Sequence, residues 1–124
     1  MAEFSTITKE ELKQKMDSGE DFILMDVLGS ESYDKIHLPG AISIDAHEDD
    51  FVEKVEERIS DKDKEIVVYC ASFDCQLSPT AAKKLTGAGY TNIIDFEGGL
   101  KEWAKADYPF EGEDVEETKK NILS

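Results

Sequence analysis

Positive charge is what this chain of 124 residues most lacks. Fourteen lysines and arginines stand against 29 aspartates and glutamates, for a formal net charge of −15. Such a surface repels the phosphates of a nucleic-acid duplex and the headgroups of an anionic membrane, which argues against either as a partner. It also repels small anions at long range, so a site for one needs local positive potential. Long apolar runs are missing too: no stretch is long enough to span a bilayer. The opening residues, Met-Ala-Glu-Phe-Ser-Thr, have no basic start and no apolar core. They do not read as a secretory signal, and the cytoplasm is the expected location. Cysteine is reduced to one pair, Cys70 and Cys75. In a reducing compartment a lone pair reads as chemistry rather than as a stapling disulfide.

What is present suits one compact domain. Apolar residues make up 40% of the chain and charged residues 35%, enough for a core and a well-solvated surface. Thr8 and Glu11 form a capping-box pattern ahead of a helix with Leu12 and Met16 on one face, ended by Ser18-Gly19. Phe22 to Met25 is an apolar run too short for a helix, and it fits a strand buried on both faces. Ser30 is placed to cap a short turn of helix through Tyr33. Pro39-Gly40 makes a turn before a short strand from Ala41 to Ile44. Asp49 to Ile59 sets Phe51, Val52, Val55 and Ile59 at helical spacing, with Glu48-Asp49-Asp50 as its solvated start. Ile66 to Tyr69, mostly β-branched, is the strongest strand signal.

Ser78-Pro79 reads as an N-cap followed by proline at the first helical position. Ala81, Ala82 and Leu85 form the buried face of that helix, and Gly87 and Gly89 end it. Ile93-Ile94 is a further strand. Gly98-Gly99 is a turn leading to a helix with Leu100, Trp103 and Ala104 inward. Strands and helices in this alternation predict an α/β domain with a largely parallel sheet. Beyond Pro109 the chain turns acidic, and Val115, Thr118, Lys119 and Ile122 give one weak amphipathic face. This tail is either a docked terminal helix or a frayed end.

Cys70 sits at the carboxyl end of the best strand, followed by the loop Ala71-Ser72-Phe73-Asp74-Cys75-Gln76-Leu77 and a helix beginning at Ser78. Ligands of open α/β sheets bind at the carboxyl ends of strands. The unpaired amides and dipole of a helix N-terminus favour negative charge. A thiolate held there is nucleophilic at neutral pH. Loop amides curling around one sulfur would hold a persulfide or an oxyanion. The plainer alternative is a buried, inert thiol ending a strand. Asp26, at the end of another buried strand, reads as a backbone hydrogen-bonding partner rather than an acid–base group.

Asp26-Val27, Tyr33, His37-Leu38-Pro39-Gly40-Ala41-Ile42, Ile66 to Cys70, Ala81 to Leu85, Gly89-Tyr90, Asn92-Ile93, Gly98-Gly99-Leu100, Trp103 and Tyr108-Pro109 together resemble a rhodanese domain in order and spacing. The resemblance covers roughly residues 5 to 111. It implies a rhodanese-like α/β domain, taken as residues 1–111, with residues 112–124 as an acidic tail. It also implies a mostly parallel sheet of about five strands flanked by helices, and a persulfide on Cys70. The expected activity is sulfur transfer from a small donor to a thiol or protein acceptor, with no metal or organic cofactor.

The loop departs from the usual rhodanese pattern. It is longer and has no arginine; Cys75 stands where arginine would fall, which resembles a subgroup with two loop cysteines. Leu28 also replaces the usual arginine after Asp-Val. Losing the loop arginine removes a bidentate oxyanion binder. Asp74 adds negative charge that should repel anions and raise the pKa of the nucleophile. Thiosulfate is therefore expected to be a poor donor, and a neutral persulfide donor, a polysulfide or a protein partner is favoured instead.

Three roles are open to Cys75: attack on a Cys70 persulfide with release of sulfide, a redox-sensing disulfide with Cys70, or none. Ser72 and Ser78 are candidates to donate to bound sulfur, Ser78 equally as a cap only. His37 falls in a turn motif away from the loop, so a structural role outweighs a general-base one, and His47 reads as a surface residue. A zinc site from Cys70, Cys75, His37 and His47 matches no known finger spacing. A cysteine phosphatase or arsenate reductase ranks last, because such chemistry needs an arginine to hold the oxyanion.

Overall fold

A computed structural model describes residues 3–124. Five parallel strands form one sheet in the order β1-β5-β4-β2-β3. They are β1 (Ser5–Thr6), β2 (Ile23–Asp26), β3 (Ile42–Ser43), β4 (Ile66–Tyr69) and β5 (Ile93–Phe96). The connecting helices are α1 (Lys9–Asp17), α2 (Ser30–Lys35), α3 (Phe51–Arg58), α4 (Leu77–Gly87) and α5 (Gly99–Lys105), with α6 (Val115–Leu123) after them. The expected rhodanese-like α/β architecture is present, and every strand pairing is parallel.

Successive side chains of a strand point to opposite faces, so each strand supplies two cores. Ile66, Val68 and Cys70 point to one face, where Phe51, Val55 and Ile59 of the α3 segment and Ala81, Ala82 and Leu85 of α4 cover them. Val67 and Tyr69 point to the other, against Leu12 of α1 and Leu100 and Trp103 of α5. Trp103 is wholly buried, and its indole N–H donates to the Pro109 carbonyl at 2.7 Å. Val115 and Ile122 of α6 pack partly buried against this second core.

The Thr8 capping box is complete: the Glu11 amide donates to Thr8 Oγ1 at 3.1 Å, and the Thr8 amide to Glu11 Oε1 at 3.0 Å. Other boundaries differ from those read in the sequence. β1 carries no sequence signal, being two exposed polar residues held by pairing to the edge of β5. Gly29, not Ser30, is the N-cap of α2, which runs on to Lys35. α3 begins at Phe51 rather than Asp49. Among the described residues, no helix is long and apolar enough to cross a membrane.

Candidate active site

Cys70 follows β4 directly and is only 1% exposed. Its position is fixed from behind by α5, because the Leu100 amide donates to the Cys70 carbonyl at 3.1 Å and the Lys101 amide to the Ala71 carbonyl at 2.9 Å. Such close approach requires glycine at position 99. Its φ is +59°, and a Cβ there would fall on the Cys70 carbonyl and the Ala71 backbone. The sequence marks Gly99 only as a turn residue; its part in seating the loop after Cys70 depends on this tertiary contact.

The loop returns to the sulfur from the front. α4 begins at Leu77, with Gln76 as N-cap and no capping side chain. This corrects the reading of Ser78 as the cap. Ser78 lies inside the first turn, and its backbone amide, not its hydroxyl, meets the sulfur: the N–H donates to Cys70 Sγ at 3.3 Å. Pro79 also sits in that first turn, where a missing N–H costs no helix hydrogen bond. An N-terminal amide of α4 is thus aimed at the Cys70 sulfur, a position that favours negative charge there.

Cys75 Sγ meets Cys70 Sγ, with the two Cα atoms 6.5 Å apart, a spacing that a disulfide spans. The loop that allows this is a tight turn, closed by the Cys75 amide donating to the Ser72 carbonyl at 3.1 Å. The Asp74 amide approaches Ser72 Oγ at 3.3 Å. Ser72 is therefore occupied in the turn. Asp74 and Gln76 are exposed, Ala71 contributes its carbonyl, and Leu77 packs into the first core. Phe73 stands out at 63% exposed. It borders two clefts. One, of about 160 Å³, is lined by Phe73, Cys75, Gln76, Pro79, Asp95 and Glu97. The other, of about 250 Å³, reaches Lys9, Glu10, Glu11 and Glu102. The approach to the loop is acidic on both sides.

The histidines are engaged elsewhere. His37 stacks on Tyr33 with ring centroids 3.8 Å apart and places Nδ1 2.7 Å from the Tyr33 carbonyl. His47 lies against Asp45 at 2.7 Å. Among the described residues, no cluster of three or more His, Cys, Asp or Glu side chains is arranged to hold a metal. Asp26 accepts from the Leu28 amide at 2.9 Å, a backbone contact of the kind the sequence suggested, yet its Oδ2 has no partner. Burial lifts its pKa to about 6, against the Leu28 and Tyr69 hydrogen bonds and the His37 charge that pull it down.

Asp95 is the residue that sequence reasoning passed over. The signal was there: a carboxylate inside the strand Ile93-Ile94-Asp95-Phe96, on the same inward side as Ile93. It is 0% exposed, and neither of its oxygens has a hydrogen-bond partner of ordinary length. Burial raises its pKa to about 6, the Ser78 hydroxyl nearby opposes the rise, and the Glu97 charge adds to it.

With this geometry in view, the likenesses to known proteins fall on the same elements. The family model described as "Rhodanese-like domain" matches residues 8–106. A thiosulfate sulfurtransferase, GlpE of Pseudomonas savastanoi pv. phaseolicola, is 31% identical over 112 residues, which span 90% of this chain and 96% of that protein. A putative sulfur carrier protein, YrkF of Bacillus subtilis, is 34% identical over 97 residues, 78% of this chain but only 49% of its own length. The solution structure of the rhodanese-like domain of the Anabaena protein Alr3790 superposes with a TM-score of 0.80 at 25% identity, covering 92% of this chain and 83% of that one.

Proposed function

Since the chain belongs to the rhodanese-like family, we propose that it is a sulfurtransferase whose Cys70 carries the transferred sulfur. The observation that supports this most is the Ser78 amide directed at Cys70 Sγ at the N-terminus of α4. In the reduced protein, the Cys70 thiolate attacks the outer sulfur of a donor. The S–S bond of the donor breaks, its remaining half departs with the electron pair, and Cys70 becomes a persulfide. An acceptor thiolate then attacks the outer sulfur, and Cys70 leaves again as thiolate. Each step places negative charge on or beside Cys70 Sγ, where the amide and the helix dipole stabilise it. The chemistry needs no metal or organic cofactor.

The loop holds no arginine to grip an oxyanion such as thiosulfate, and the acidic clefts set every small anion at a disadvantage, which favours a neutral persulfide or a protein-borne donor. A thiol, free or on a protein, is the acceptor. Cys75 ends a cycle when no acceptor comes. Its thiolate attacks the inner sulfur of the persulfide, hydrosulfide leaves, and the Cys70–Cys75 bond forms. Steady-state turnover with polysulfide and a thiol acceptor tests the proposal. Wild type turns over, Cys70→Ser does not, and retained turnover in Cys70→Ser would refute it.

A second reading rests on the Cys70–Cys75 pairing itself. In it the loop is a redox-sensing module that reports oxidation without catalysis. It requires reversible pairing together with negligible turnover for every sulfane donor, so the same assay separates the two.

A further inference from the structure

We propose that Asp95 is the proton-exchanging residue for thiol–disulfide chemistry at Cys75. Three observations converge. Asp95 and Cys75 line one cleft of about 160 Å³ beside Phe73, Gln76, Pro79 and Glu97. Asp95 is 0% exposed, and the one side chain that acts on it by hydrogen bonding is the neighbouring Ser78 hydroxyl. Cys75 lines the cleft and is only partly buried, whereas Cys70 does not line it, so a thiol entering the cleft reaches Cys75 first. Structural packing gives a buried carboxylate with a single hydroxyl beside it little return for its desolvation, whereas exchange of a proton with a thiol in the cleft gives it a role.

The step balances as follows. A thiol attacks Cys75 Sγ, its sulfur forms a new bond there, and the Cys70–Cys75 bond breaks. Cys70 takes the electron pair and leaves as thiolate, held by the Ser78 amide at 3.3 Å. The proton of the incoming thiol passes to the Asp95 carboxylate. The products are a mixed disulfide on Cys75, a Cys70 thiolate and a neutral Asp95. The Ser78 amide makes Cys70 the better leaving group, which agrees with attack on Cys75. No other oxidant or reductant enters. This step returns Cys70 to its working state, and its place in a catalytic cycle rests on the sulfur-transfer reading. Its chemistry rests only on the pairing of Cys70 with Cys75.

The surroundings suit a base at neutral pH. Burial brings Asp95 to about 6, so the carboxylate is ionised at pH 7 yet close enough to exchange protons readily. β1 and β4 set the uncharged Thr6 and Val68 beside it, α4 brings Ser78, and the loop brings Cys75. Among the described residues, the charge acting on it is that of Glu97.

The test is the rate at which reduced glutathione opens the Cys70–Cys75 bond, followed from about pH 4 to pH 8.5 and expressed per glutathione thiolate. In wild type this normalised rate climbs as pH falls towards about 6 and then levels off. Asp95→Asn gives a flat profile and is slower by about 100-fold at pH 7. An Asp95 that merely repelled the incoming thiolate would make Asp95→Asn faster, and a purely structural Asp95 would leave the shape unchanged; either result overturns the proposal. Glu97→Gln, an exposed change, provides an arm independent of the folding of Asp95→Asn. It moves the point of levelling to lower pH, and an unmoved point counts against the proposal. The assay contains no sulfur donor, so its failure is distinct from a failure of Cys70 to accept sulfur.

Discussion

Replacing Gly99 with alanine places a methyl group against the backbone that carries Cys70. At φ +59° the new side chain sits in the left-handed region, a strain of about 1–2 kcal/mol for alanine. Its Cβ also meets the Cys70 carbonyl and the Ala71 backbone, neither of which can rotate away. Relief requires α5 to withdraw from the end of β4, loosening the Leu100 and Lys101 amide bonds to those carbonyls, each worth about 0.5–1.5 kcal/mol. The total is about 3 kcal/mol or more, a large share of the roughly 5–15 kcal/mol that holds a domain of this kind together. Two other glycines separate the contributions. Gly40 has φ +79° with open space around its Cβ position, so Gly40→Ala shows the strain alone. Gly87, in α4, has neither strain nor a neighbour, and Gly87→Ala stabilises by up to about 1 kcal/mol. Urea denaturation of the three variants should rank them Gly87→Ala, Gly40→Ala, Gly99→Ala in falling stability, with slower sulfur loading only in the last. A Gly99→Ala variant no less stable than Gly40→Ala would refute the idea that α5 props the loop by backbone contact.

Asp26 is raised to about 6 from an ordinary 3.8, so the folded state holds its proton more tightly than the unfolded chain. Its contribution is therefore greatest below about pH 4 and is lost as pH rises through about 6, amounting to about 3 kcal/mol at most. The stability of Asp26→Asn relative to wild type, measured by denaturation at several pH values, should rise across that window; a constant difference would contradict it. Trp103→Phe removes the donor to the Pro109 carbonyl and should cost about 1–3 kcal/mol, read as a lower urea midpoint. Thiosulfate loading of Cys70 should accelerate as ionic strength rises from about 0.01 to 0.15 M, because salt screens the acidic approach, whereas a neutral donor should be indifferent.

Much of the scaffold was legible because its signals are local. The β-branched run Ile66 to Tyr69 and the capping box of Thr8 and Glu11 each specify their element within a few residues, and Cys70 at the end of the first of these marked the candidate site. What escaped was set by tertiary contact. β1 is two polar residues that become a strand only by pairing with β5. Ser78 has the side chain of a cap, but the turn that brings its amide to Cys70 begins α4 one residue earlier. Asp95 lies in the third position of an otherwise apolar strand, and its relation to Cys75 depends on α4 and the loop closing over it. A Cys70–Cys75 disulfide was one of the three roles the sequence left open for Cys75, and the turn at Ser72 is what brings the two sulfurs together.

The most direct test is to locate the transferred sulfur. Reduced protein is treated with polysulfide, the free thiols are capped, and the chain is cut and weighed peptide by peptide. The account predicts one added sulfur atom on the peptide holding Cys70, present in Cys75→Ser, absent in Cys70→Ser, and removed by a thiol acceptor. Sulfur found on Cys75 in a Cys70→Ser background, or none on Cys70 in wild type, would contradict it.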